Sequence, residues 1–236
     1  MSAVRRLLLV ASALASLAAF GLIHGQDRQQ ESAQIWRAGT LHEDEVIGKT
    51  GEQWIALLRT DSGYALAWTT VTVTDATNGL MPSDKSVSVE RQSETLWLFR
   101  GIPSFREGPV QTVYCGTQSI DAGYGINLNG VRGSQTWSNL YAKQVKDGDV
   151  VSGYELTLST HAMPERIQIL ESRIGWDPDA RPFLLWAGDL DRDGRLDLVI
   201  DMQTHYNSSE PTLFLSSAAD SATLVKRVAS FRTIGC

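Results

Sequence analysis

Residues 54–74 read Trp-Ile-Ala-Leu-Leu-Arg-Thr-Asp-Ser-Gly-Tyr-Ala-Leu-Ala-Trp-Thr-Thr-Val-Thr-Val-Thr. Two arms rich in apolar, aromatic and β-branched residues, Trp54–Arg59 and Tyr64–Thr74, flank Asp61-Ser62-Gly63. Small polar residues followed by glycine are what a tight turn between antiparallel strands takes. Within the second arm, Val71-Thr72-Val73-Thr74 alternates apolar and polar, as a strand with one covered face does. The stretch predicts a β-hairpin.

The same signals recur in both directions. Val87 and Val89 alternate with Ser86 and Ser88, and Leu96–Phe99 is a short apolar run suited to a covered strand. Val110–Tyr114 and Tyr154–Ser159 follow, the latter with clear period-two alternation. Then come Ile167–Leu170, Phe183–Trp186, Leu196–Met202, Thr212–Leu215 and Thr223–Phe231. Only Gln30–Trp36 and Asp220–Val228 could form helices, and strand is favoured for most of the second. Many short strands punctuated by turns predict an all-β fold, an antiparallel sandwich or barrel-like domain with few helices. Gly101–Pro109 interrupts the pattern with glycines and prolines, placing a candidate internal boundary near residues 101–110.

The chain begins with an export segment. Arg5 and Arg6 precede an apolar run, Leu7–Ile23, that is short for a bilayer span. This predicts a signal peptide over residues 1–25, with an uncleaved anchor as the alternative. A polar lead-in over 26–33 then precedes an all-β domain over 34–236. The whole chain has 21 basic and 27 acidic side chains, and loss of Arg5 and Arg6 leaves 19 against 27, a balance of −8. Such an acidic chain argues against a nucleic-acid or anionic-membrane binder. The expected compartment is periplasmic or secreted. The two cysteines, Cys115 and Cys236, are therefore expected to form a disulfide.

The most chemically specific stretch is residues 189–197, Asp-Leu-Asp-Arg-Asp-Gly-Arg-Leu-Asp. Four carboxylates in nine residues repel one another unless a cation lies among them, and hard oxygen ligands select Ca²⁺. Gly194 lets the backbone turn back towards the ion, because glycine takes positive φ without steric cost. An EF-hand loop needs a bidentate acid at its twelfth position, where this chain has Ile200.

Residues 186–201, Trp-Ala-Gly-Asp-Leu-Asp-Arg-Asp-Gly-Arg-Leu-Asp-Leu-Val-Ile-Asp, instead resemble the strand-flanked calcium hairpin of the FG-GAP and VCBS repeat families. The resemblance implies that Asp189, Asp191, Asp193 and Asp197 supply side-chain oxygens and Arg195 its carbonyl, with the Arg195 side chain turned away. Leu196, Leu198, Ile200 and Met202 alternate with Asp197, Val199 and Asp201, so one face is expected to enter the core with Asp197 on the other. No repeat of the motif is present, so neither a propeller nor adhesion is carried over.

Other candidates carry less. His42-Glu43-Asp44-Glu45 begins like a zincin helix, but Val46 stands where the second histidine belongs. His161 and His205 lie in no nucleophile motif. His205-Tyr206-Asn207 suits packing over the calcium hairpin or the lining of a groove, and Asn207-Ser208-Ser209 is a glycosylation sequon. The seven tryptophans are scattered along the chain, which favours packing over a glycan-stacking surface. No catalytic residue is assigned. The expectation is an exported calcium-binding protein with a non-enzymatic role towards a protein or glycan partner, the ion being mainly structural. The competing class is a secreted, calcium-stabilised hydrolase of cell-wall or extracellular polymer, which would need a cleft with convergent acid–base groups.

Overall fold

The Asp61-Ser62 turn joins Gln53–Thr60 to Gly63–Thr70, and the two strands pair in register from Gln53 opposite Thr70 to Thr60 opposite Gly63. The loop is two residues long, with Gly63 opening the return strand at φ 131°. This is a computed structural model, and it describes residues 32–131, 137–148, 150–161, 164–174 and 179–235. The expected signal peptide at 1–25, residues 26–31 of the expected lead-in at 26–33, and Cys236 of the expected disulfide lie outside the described residues.

The fold is all-β. Nine strands form one antiparallel sheet, in the spatial order Gln34–Trp36, Thr95–Arg100, Gln53–Thr60, Gly63–Thr70, Gly108–Ser119, Phe183–Asp189, Asp197–Asp201, Pro211–Leu215 and Lys226–Ser230. The first and last of these come together, so the sheet nearly closes into a barrel. A four-stranded sheet follows the order Arg166–Ile174, Val150–Thr160, Ser138–Asp147, Gly125–Leu128. Smaller sheets are built from Gly39–Leu41, Lys85–Ser88 and Thr72–Asp75, and from Ser208–Ser209 with Thr233–Ile234.

Three expectations are refined. The arm predicted to run unbroken from Tyr64 to Thr74 changes sheets at Val71, whose backbone bonds Glu52 and Gly51 instead of continuing the ladder. The possible helix ending at Trp36 is not made in its described part: Gln34–Trp36 pairs with Leu98–Arg100. In the Asp220–Val228 window, the Asp220 carboxylate accepts the N–H groups of Ala222 and Thr223 in a local turn, and a strand starts at Lys226. Strands from both sides of Gly101–Pro109 share the large sheet, because Gly108–Ser119 pairs with the Gly63–Thr70 strand and with Phe183–Asp189.

Two buried clusters explain why the strands that flank the 190–196 loop are so strongly apolar. One gathers Trp36, Trp54, Phe99, Trp186, Val199 and Leu213. The other joins Leu140, Tyr154, Leu158, Ala187, Leu198 and Phe214. Along Asp197–Asp201 and Pro211–Leu215, neighbouring apolar residues enter opposite clusters, as the period of two requires. The Asp197–Asp201 strand is therefore covered on both faces, and all five of its residues are buried. The expectation of one core-facing side is corrected: Leu198 and Ile200 pack with the four-stranded sheet, and Val199, on the face expected to lie outside the core, enters the cluster of Trp36 and Trp54.

Candidate metal centre

The loop at residues 190–196 closes the hairpin between Phe183–Asp189 and Asp197–Asp201. Its shape is held by its own carboxylates. Asp189 accepts the N–H of Asp193 at Oδ1 (3.1 Å) and of Gly194 at Oδ2 (3.0 Å). Asp197 accepts the Leu190 N–H at 2.8 Å. Gly194 takes φ 80°, as its place in the motif requires. Arg192 takes φ 64°, costly for a residue with a Cβ. Its guanidinium donates to the carbonyls of Pro109 (3.1 Å) and Arg106 (2.8 Å), fastening the loop to the 101–109 segment. At the preceding strand end, a Cβ on Gly188 would lie 2.0 Å from the Gln111 carbonyl, so only glycine lets the strands meet there.

Asp189, Asp191 and Asp197 each bring one carboxylate oxygen into a group lying within 4.8 Å of one another. Two oxygens that each sit ~2.4 Å from one calcium ion are at most about 5 Å apart, so the spacing suits that ion. Asp197 is fully buried and Asp189 is 6% exposed. Burial, then the nearby charge of Asp191, pushes the Asp197 carboxyl up to about 8. Burial also raises Asp189, opposed by the Gly194 N–H. Asp191 Oδ1 is buried with no hydrogen-bond partner, while its other oxygen accepts the Ser217 hydroxyl. A buried acceptor without a donor is costly, and a bound divalent cation would remove that cost while offsetting two of the cluster's charges.

The other two sequence-predicted residues are used differently. The Asp193 carboxylate accepts the Arg195 N–H (2.9 Å) and pairs with the Arg195 guanidinium, Nη2 at 2.7 Å. The Arg195 side chain thus folds back over the loop onto Asp193. Ser216 and Ser217, which follow the Pro211–Leu215 strand, have no signal in the sequence. Ser216 donates its N–H to Asp197 Oδ1 (2.9 Å), and its hydroxyl reaches both Asp193 (3.0 Å) and Asp197 (3.0 Å). They enter the site only because that strand pairs with Asp197–Asp201.

Asp201 does not join the group. It accepts the N–H groups of Gln203 and Glu210 and the Ser209 hydroxyl, ordering the turn beyond the hairpin. His42 pairs through Nδ1 with buried Asp84 at 2.9 Å, and Glu43–Glu45 is a single 3-10 turn. His161 stacks on Trp137, and His205 lies against Tyr206 while accepting the Asn207 N–H. Trp36, Trp54 and Trp186 are fully buried, whereas Trp68 and Trp137 are exposed. Trp176 lies outside the described residues. Cys115 is half-buried, and its nearness pushes the Tyr64 hydroxyl up.

Comparison of the chain with protein-family models, curated proteins and solved structures finds no match.

Proposed function

We propose that this chain is an exported calcium-binding protein in which the ion clips the Asp189–Asp197 hairpin, and that its role is binding rather than catalysis. The observation that carries the reading is the convergence of Asp189, Asp191 and Asp197 around a buried, unpartnered Asp191 oxygen. A solvated acidic turn would spread its carboxylates into water, whereas these face inward and two of them are buried. The likeness to the FG-GAP and VCBS hairpin supports the same assignment. The ion's main task is structural, since it would join both strand ends of one hairpin and, through Ser217 and Ser216, the start of the next turn.

The test is calorimetric titration of the protein with calcium after chelator treatment, with magnesium in parallel. Calcium binding that is lost in Asp191→Ala supports the reading; no heat and no change in melting temperature would overturn it.

One observation favours the alternative, a secreted calcium-stabilised hydrolase. The His42–Asp84 pair lines a cleft of ≈280 Å³ together with Thr40, Asn78 and Thr233. A histidine oriented by a carboxylate is a familiar general base. Release of soluble fragments from peptidoglycan or polysaccharide, abolished by His42→Ala, would establish this reading in place of the first.

A further inference from the structure

A second cleft, of ≈260 Å³, shares a wall with the candidate metal loop. Gly194, Arg195 and Leu196 form that wall, and Ser216, which bonds Asp193 and Asp197, also lines it. Opposite lie Ser138, Leu158, Thr160 and Arg166 of the four-stranded sheet. The cleft thus opens between the sheet that covers the hairpin and the loop that closes it.

Its lining has two characters. Val131, Leu158 and Val225 are buried to within 3% exposure and, with Leu196, give an apolar floor. Among the described residues, the charged ones that line the cleft are Arg166 and Arg195, with no carboxylate, although the chain as a whole is acidic. Arg166 is held in place: its Nη2 donates to the carbonyls of Ser221 and Thr223, both at 2.9 Å. Its Nε and Nη1 have no protein acceptor among the described residues. Arg195 is held by Asp193 through Nε and Nη2, leaving Nη1 in the same condition. Fixed guanidinium donors beside an apolar floor select a molecule with an apolar body and an anionic group, since charge-assisted bonds orient the head while burial of the body drives binding.

We propose that this cleft binds an amphiphilic organic anion, and that calcium in the adjoining loop strengthens that binding; the second part rests on the calcium reading above. Without a cation, the loop carboxylates repel an anion held on the other side of Gly194–Leu196. A divalent ion offsets two of those charges at a distance that salt screens only partly. It also fixes the Asp189, Asp191 and Asp197 side chains that set the position of this wall. Linkage makes the effect reciprocal, so the anion raises calcium affinity by the same factor.

The test uses anilinonaphthalene sulfonate, whose fluorescence rises in apolar sites, against phenylnaphthylamine, the same ring body without the sulfonate. Folding of each variant is checked by its melting transition. We expect the sulfonate to bind roughly tenfold more tightly than the neutral compound, and Arg166→Gln or Arg195→Gln to remove about that factor while leaving the neutral compound unaffected. Two variants are needed because Arg166 also holds the 221–223 turn. Equal affinity for the two probes, or sulfonate binding unchanged in both arginine variants, overturns the cleft assignment.

Calcium binding is measured first on the protein alone. If calcium binds, a severalfold gain in sulfonate affinity over the chelated protein supports the coupling, and equal affinities refute it while leaving the calcium reading standing. If calcium does not bind, the proposed function and the coupling fall together, and the comparison of the two probes alone decides the cleft.

Discussion

Ser216 and Asp197 are joined twice. The Ser216 N–H donates to Asp197 Oδ1 at 2.9 Å, and the Ser216 hydroxyl lies 3.0 Å from the same oxygen. Residues 19 positions apart are brought together by the pairing of Asp197–Asp201 with Pro211–Leu215. A fully buried carboxylate needs such donors, and this one also accepts the Leu190 N–H. Because the Ser216 hydroxyl carries one proton, it serves Asp193 or Asp197 at a given moment, not both. Ser216→Ala keeps the backbone bond and is expected to cost about 1 kcal/mol, the net worth of one hydrogen bond. Urea unfolding of the chelated protein reads this directly; an unchanged midpoint would show the hydroxyl to be dispensable.

Calcium is expected to raise stability by about 1–2 kcal/mol at millimolar concentration, given the affinity of extracellular modules and the logarithmic dependence on ligand. Thermal melts with calcium and with chelator measure it. Asp191→Ala should abolish the calcium response. In the chelated protein the same substitution should cost little, because the charge of Asp191 opposes ionisation of Asp197.

Gly188→Ala should be among the most damaging single changes in the hairpin. The added Cβ would meet the Gln111 carbonyl at 2.0 Å and the buried Trp186 ring at 2.5 Å. Neither a paired backbone nor a packed indole can give way by an ångström. Overpacking of this kind costs at least ~2 kcal/mol, so expression of soluble protein and its melting temperature should both fall. A wild-type melt for this variant would mean that the Gly108–Ser119 strand can shift.

The His42–Asp84 pair makes stability depend on pH in both directions. Its hydrogen bond with Asp84 raises His42 above 6.5, so the folded chain holds that proton more tightly than the unfolded chain does. The contribution is complete below the unfolded value and disappears as pH rises through the folded one. Asp84 is lowered, first by the Met81 N–H and then by His42. Its contribution is present above the ordinary carboxylate range and is lost as pH falls through the lowered value. His42→Gln should therefore flatten the decline of urea midpoints between about pH 6 and pH 8. Parallel profiles for the two proteins would remove the histidine from this account.

The β character of the chain was legible from local pattern, because alternation and turn residues act over a few positions. The Asp61-Ser62 turn and the period-two run at Tyr154–Ser159 illustrate this. The change of sheet at Val71 was not legible, since Val-Thr-Val-Thr suits either sheet equally well, and tertiary hydrogen bonds to Glu52 and Gly51 decide it.

The candidate site divides in the same way. Residues 189–197 by themselves determined that four carboxylates share one short turn with a glycine where the backbone needs positive φ, because both are matters of local covalent geometry. Only the tertiary structure decided which of them converge. Asp193 is drawn off by Arg195 and Ser216, whereas Asp189 and Asp197 are pressed inward because both faces of the hairpin are covered. Burial raises the energy of negative charge, and burial depends on which distant strands pack over the loop, which no nine-residue pattern contains.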